Sequence, residues 1–205
     1  MPKGTTTAIC DPHELANVSG ISGIEYFLNS SQKLKLDLRV MLSSCVPATH
    51  METNGAGSLS IDALAPLASH PKVLGLAEMM NVPGVLNSDA EVLKKVAYFS
   101  ENKIDGHCPL LRGRELSAYA STGISTCHES SMLDEAQEKL IKGMKVWIRE
   151  GSVAKDLRAL IPLLTLATST SIGFCTDDRN PLDIAQEGHV DHLVRSAIKS
   201  GVSPE

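Results

Sequence analysis

Ile104-Asp105-Gly106-His107-Cys108-Pro109 and Gly123-Ile124-Ser125-Thr126-Cys127-His128-Glu129 decide how this chain is read. In each stretch a histidine follows a short apolar run, and one helix-length segment, 113–122, lies between them. A histidine just past a buried strand, repeated one strand-helix unit later, puts two imidazoles at the same end of adjacent parallel strands. Folds of that kind keep their chemistry there. Either histidine alone could merely cap its strand and bond a loop carbonyl. Repetition at matching positions, with the carboxylates Glu78 and Asp177 similarly placed, favours ligand geometry.

Outward from this pair the same alternation continues. Thr5-Thr6-Thr7-Ala8-Ile9-Cys10 reads as a strand running into Asp11-Pro12-His13-Glu14, and 15–30 has helical character interrupted by Gly20 and Gly23. Leu36-Asp37-Leu38-Arg39-Val40-Met41-Leu42 is the next strand, followed by a Gly-, Asn- and Thr-rich loop to Ser58 and a short helix over 61–69. Val73-Leu74-Gly75-Leu76-Ala77 delivers Glu78, and Ser88-Asp89 opens a helix through Phe99 with acids first and lysines later, as the helix dipole favours. Beyond the two histidine units, 133–144 is an amphipathic helix, 145–150 a strand, and Ser152 a candidate cap for a helix from Val153. Ser171-Ile172-Gly173-Phe174-Cys175 delivers Thr176-Asp177-Asp178-Arg179-Asn180-Pro181, and a helix through Ile198 closes the chain.

Seven strands, each followed by helix or by loop and helix, indicate an α/β fold with a parallel sheet. Seven is one short of a closed eight-stranded barrel. Polar groups fall after several different strands, which favours a barrel over a doubly wound sheet with its single switch point.

At 205 residues the chain can bury one sizeable core, as a single domain or most of a larger one. Aromatic content of 3% leaves that core to Leu, Val, Ile, Ala and Met. A formal net charge of -5, with no Lys/Arg cluster, argues against nucleic acid as a partner. No apolar run is long enough to span a bilayer, and the first residues have no signal-peptide core, so no membrane association and a cytoplasmic location are expected. The 5 cysteines are spread without a Cys-x-x-Cys pair, which fits reduced thiols. Cys10, Cys108, Cys127 and Cys175 adjoin candidate site residues. A soft-metal role is conceivable, though cysteine is also a common small buried residue.

The strand-end polar groups are Asp11, His13 and Glu14, then Glu78, His107, His128, Asp177 and Asp178. Imidazole and carboxylate are ligands of Zn, Mn or Fe, and a carboxylate can bridge two ions. A metal lowers the pKa of water to about 7, and a nearby carboxylate can shuttle protons to a leaving group. In outline this is a hydrolase site.

Asp11-Pro12-His13-Glu14, Gly75-Leu76-Ala77-Glu78-Met79-Met80, Asp105-Gly106-His107-Cys108-Pro109, Cys127-His128-Glu129-Ser130, Ile148-Arg149-Glu150-Gly151-Ser152 and Cys175-Thr176-Asp177-Asp178-Arg179-Asn180-Pro181, taken together and in order, resemble the adenine deaminases of the amidohydrolase superfamily. The resemblance covers nearly the whole chain. It implies a (β/α)₈ TIM-type barrel with a binuclear site of Mn or Fe (Zn is also conceivable), converting adenine and water to hypoxanthine and ammonia. By matching motif, Glu78 would bridge the metals, His107 and His128 would be histidine ligands, and Asp177 would bind metal and act as general acid/base. Asp177 is preferred to Asp178 because it is nearer the strand end.

Family members also carry a His-x-His pair after barrel strand one, and none occurs here. The resemblance therefore implies an incomplete barrel over residues 1–205, strands two to eight, without the His-x-His segment and the small β domain. An apolar seam lined by Ile9, Ile172 and Phe174 is then expected, with self-association as a homo-oligomer or dependence on a complementing segment. Two alternatives stay open: a non-catalytic fragment or assembly module, and a related hydrolase acting on another cyclic amidine or amide.

Asp11, His13 and Glu14 read either as substrate or supporting contacts or as the N-terminal cap of a helix. Glu129 and Arg179 could orient ligands or bind purine, although an arginine beside two aspartates can simply neutralise them. His50 and His70 read as surface residues. His189 and His192 are one turn apart on the closing helix and read as a solvated face.

Overall fold

A computed structural model describes residues 1–204, which form two compact units. The first comprises Thr6–Cys108 and Ala118–Ser125; the second comprises Met1–Thr5, Pro109–Ser117 and the chain from Thr126 onward.

In the first unit β1 (Thr7–Cys10), β2 (Asp37–Ser43), β3 (Val73–Met79) and β4 (Lys103–Gly106) form one parallel sheet in chain order. Parallel neighbours need crossovers. These are supplied by α1 (His13–Ser19) and α2 (Ile21–Ser31), by α3 (Ile61–Ala68), and by α4 (Val82–Leu86) with α5 (Ala90–Tyr98). Val40, Leu42, Leu76 and Ile104 are at most 2% exposed, as expected of strands covered on both faces. Each such side chain contributes about 1.5–3 kcal/mol through burial. A Cβ on Gly75 would lie 2.0 Å from the Lys103 carbonyl oxygen, so β3 and β4 approach here as only glycine permits.

The helix expected over 15–30 is broken where Gly20 takes φ 63°, a left-handed turn that separates α1 from α2. The helix expected from Ser88-Asp89 forms as read, with the Asp89 carboxylate accepting from Val92 N at 3.0 Å. The segment between the two histidines forms α6 (Gly113–Ser121).

The second unit carries β5 (Thr126–Cys127), β6 (Lys145–Arg149) and β7 (Ile172–Cys175), again parallel and in chain order. Its helices are α7 (Leu133–Ile141), α8 (Leu157–Leu160), α9 (Pro181–Gln186) and α10 (Val190–Lys199). Ala136, Val146, Ile148, Leu157, Leu160, Leu163 and Ala197 form the core, with Ile172 and Phe174 packed against it. Of the three residues expected to line a seam, Ile172 and Phe174 are thus half-buried, while Ile9 on β1 is 63% exposed.

Ser152 does not cap a helix. Residues 151–156 are irregular, because Gly151 N donates to Ala154 O and Ser152 N donates to Asp178 O, tying this loop to the one after β7. The Ser152 hydroxyl donates to Asp183 at 2.5 Å and accepts from Asn180 N at 2.9 Å, and the helix begins only at Leu157.

Within each sheet, strands adjacent in sequence are adjacent in space and parallel. That is barrel-type order; a doubly wound sheet reverses direction at its switch point. No helix among the described residues is long and apolar enough to cross a membrane.

Candidate functional site

In the first unit the C-terminal ends of the strands bring Asp11, His13, Glu78 and His107 together. The Ser43 hydroxyl donates to Asp11 Oδ1 at 2.5 Å, and Asp11 Oδ2 lies 3.0 Å from His13 Nδ1. The same nitrogen is 3.2 Å from Glu78 Oε1, and His107 Nδ1 is 2.9 Å from Glu78 Oε2. Glu78, 9% exposed, is thereby flanked by two imidazoles. Its backbone is held as well: its carbonyl accepts from Ser44 Oγ at 2.8 Å and Cys45 Sγ at 3.3 Å. Tyr119, fully buried on α6, donates its hydroxyl to Met79 O at 2.7 Å and accepts from His107 N at 3.1 Å. One phenol thus sets the spacing of the two strand ends that carry Glu78 and His107.

The helix-cap reading of Asp11 is not met. Pro12 occupies the N-cap of α1 without a side-chain cap bond, and the Asp11 carboxylate is turned to Ser43 and His13. Glu14 lies in the first turn of α1, where an acid is favoured, with its carboxylate 3.3 Å from His13 Nε2.

Burial alone would push His13 down, but the Asp11 hydrogen bond and charge, then Glu78 and Glu14, outweigh it and raise it to about 9. A histidine whose pKa is raised on folding stabilises the fold fully below its unfolded value of about 6.5 and loses that contribution as pH rises through about 9. The difference in unfolding free energy between the metal-free parent and His13→Gln should therefore be greatest near pH 6 and fade by about pH 10, and burial, which raises Asp11, offsets part of it. Denaturant unfolding across that range checks it; a difference independent of pH would show that His13 is not held as the cation.

In the second unit the loops after β5 and β7 bring His128, Glu129 and Asp177 together. Each offers one ligand atom within 4.8 Å of the others, as do Asp11, His13 and Glu78 in the first unit. Arg149, the last residue of β6 and 8% exposed, links the carboxylates. Its guanidinium forks onto Glu129, with Nη2 2.9 Å from Oε2, and donates to Asp177 Oδ2 at 2.9 Å and Asp156 Oδ2 at 3.2 Å. Asp177 stands at φ 50°, a left-handed conformation that aspartate tolerates better than most residues, and its Oδ1 accepts from Asp178 N at 2.7 Å.

Arg179 is placed differently from the neutralising role considered for it. Its buried guanidinium donates to Gly188 O at 2.9 Å, to Glu187 at 2.5 Å and to the Glu150 and Gly151 carbonyls at 3.4 Å. The arginine on Asp177 is Arg149. His189 and His192 are half-buried and belong to neither cluster: His189 bonds Thr5 at 2.9 Å and Thr176 at 3.3 Å, and His192 lies 3.9 Å from Glu187. Burial, and then the charge of Asp11, push the Cys10 thiol up to about 12, and burial raises Cys45. Neither is a thiolate suited to metal.

Both clusters consist of carboxylate oxygens and imidazole nitrogens, a donor set that suits Mn, Fe or Zn. The model of the amidohydrolase family matches residues 1–202. The chain belongs to the amidohydrolase family. Within it, the chain is 59% identical over 203 residues to an adenine deaminase of Cereibacter sphaeroides, covering 99% of this chain and 36% of the relative. It is 57% identical over 204 residues to the adenine deaminase of Sinorhizobium fredii and 59% identical over 204 residues to that of Gluconobacter oxydans, in each case covering 100% of this chain and 36% of the relative. This member of the family thus spans about 36% of the length of the curated relatives it matches.

Arg149, Tyr119, Ser43 and the buried pair Glu135–Lys139 were not singled out from sequence. Arg149 was within reach, since a charged residue ending the apolar run Lys145-Val146-Trp147-Ile148 occupies a strand-end position like those of the residues that were chosen.

Proposed function

We propose that this chain supplies the catalytic portion of an adenine deaminase, hydrolysing adenine to hypoxanthine and ammonia at a binuclear Mn or Fe centre. In this reading residues 1–205 are strands two to eight of a (β/α)₈ barrel, completed by a segment or partner that contributes the first strand, and they act in the cytoplasm. Support comes from the high identity to adenine deaminases together with the oxygen and nitrogen donors gathered at strand ends within each unit.

Glu78, His107, His128 and Asp177 would hold the metal. When bound, it acts as a Lewis acid that lowers the pKa of water to about 7. Asp177 would take a proton from the attacking water as its oxygen adds to the amino-bearing carbon of the ring. It would pass that proton to the ring nitrogen, then take the second proton from the newly added hydroxyl and give it to the departing amine, so that one C–O bond forms, one C–N bond breaks and ammonia leaves. Arg149, donating to Asp177 Oδ2, fixes the orientation of that carboxylate. Glu78, whose two oxygens each lie against an imidazole, would be one of the carboxylates that hold the metal.

The test is to place this chain in the framework of the Cereibacter sphaeroides relative, in exchange for the matched segment, and to assay hypoxanthine and ammonia release with Mn or Fe. Turnover of adenine by the chimera is expected. A folded, metal-loaded chimera that leaves adenine intact but hydrolyses another cyclic amidine would support the related-hydrolase alternative, and one inert to all such substrates would sink the catalytic reading.

A further inference from the structure

Lys139 and Glu135, one turn apart on α7, form an ion pair with 0% and 1% side-chain exposure, Nζ to Oε1 2.8 Å. Two charges removed from water are a net cost unless further bonds satisfy them, and apolar residues of similar size often serve stability as well or better. The remaining bonds show where these charges act. Lys139 Nζ donates to the Glu129 carbonyl at 2.7 Å, to Ser130 Oγ at 3.0 Å and to Cys127 Sγ at 3.4 Å. These partners lie on both sides of His128. Glu135 Oε1 also accepts from Leu110 N at 2.8 Å, at a residue with φ 60°.

We propose that Lys139, oriented by Glu135, is a positioning residue that locks the loop carrying His128 and Glu129, presetting the second unit's metal-type cluster. This deepens the metal-hydrolase reading and rests on it for the role of His128. With one of its three hydrogens on Glu135, the ammonium holds residues 127–130 through bonds to Glu129 O and Ser130 Oγ, with Cys127 Sγ as a longer contact, and leaves them little freedom to swing. A loop fixed before the ion arrives does not have to be ordered by it, so affinity rises.

Two variants separate this from a purely structural role. Lys139→Met leaves Glu135 buried without its partner and should be destabilised; Lys139→Met/Glu135→Leu replaces both charges and should recover most of the thermal midpoint. If Lys139 positions the loop, both variants should bind Co²⁺ on the order of tenfold more weakly, with an altered visible spectrum, and both should show faster amide exchange at residues 128–130 but not in β6. Wild-type exchange and wild-type cobalt affinity in the double variant would overturn the proposal. Should the parent chain take up no Co²⁺, or His128→Ala leave its spectrum unchanged, the metal reading fails on its own account. Loop exchange in the double variant then still decides the role of Lys139.

Discussion

Arg149→Met should lower the stability of the metal-free chain by about 3–5 kcal/mol, a fall in thermal midpoint on the order of 10 °C. The side chain is 10% exposed and faces Glu129, Asp156 and Asp177, whose side chains are 16%, 10% and 29% exposed. Methionine fills much of the volume but leaves three carboxylates crowded together without a cation. That loss exceeds what any surface pair would show. Arg149→Lys restores a charge but not the planar fork that reaches Glu129 through two nitrogens, so it should recover only part of the loss. Calorimetry of the three proteins with chelator present checks this. A methionine variant within about 1 kcal/mol of the parent would mean that these carboxylates are already well solvated.

The second large effect concerns chemistry. In the chimera described above, Asp177→Asn should retain much of the metal while lowering adenine turnover by on the order of a hundredfold or more. The amide keeps an oxygen donor but cannot take the proton from water. It also keeps the left-handed backbone, which asparagine tolerates as readily as aspartate, so the loss would not reflect a refolded loop. Asp178→Asn is the internal control. Asp178 engages its neighbours through its backbone, with N donating to Asp177 and O accepting from Ser152, and its substitution should cost far less. Near-normal turnover in Asp177→Asn, with a large loss in Asp178→Asn, would transfer the role to the second aspartate.

The strands were legible because parallel strands covered on both faces are written as short apolar runs, as in Val73-Leu74-Gly75-Leu76-Ala77 and Ser171-Ile172-Gly173-Phe174-Cys175. Their polar sequels were legible for the same reason, since a charge directly after such a run has few places to go except the strand end. What failed was local. The bend at 151–156 is imposed by hydrogen bonds to Asp178 and Asn180, partners too distant in sequence for any local pattern to reveal. The five-residue α4, capped by Asn81 with Pro83 in its first turn, is too short to leave an apolar period in the sequence. Supporting residues were harder still. Glu135 and Lys139 have the i,i+4 spacing of an ordinary exposed helix pair, and only the fold shows that α7 turns them inward. Nothing near Tyr119 marks its hydroxyl as anything but a surface phenol.

That hydroxyl sits 40 positions from Met79 and 12 from His107 along the chain, yet a single oxygen atom touches both backbones. It therefore works as a gauge block between two strand ends. The loops beyond β3 and β4 can drift in sequence and length while the span between the carboxylate and the imidazole keeps its setting. A phenylalanine there would fill the same space in the core and leave the gauge without its measuring face.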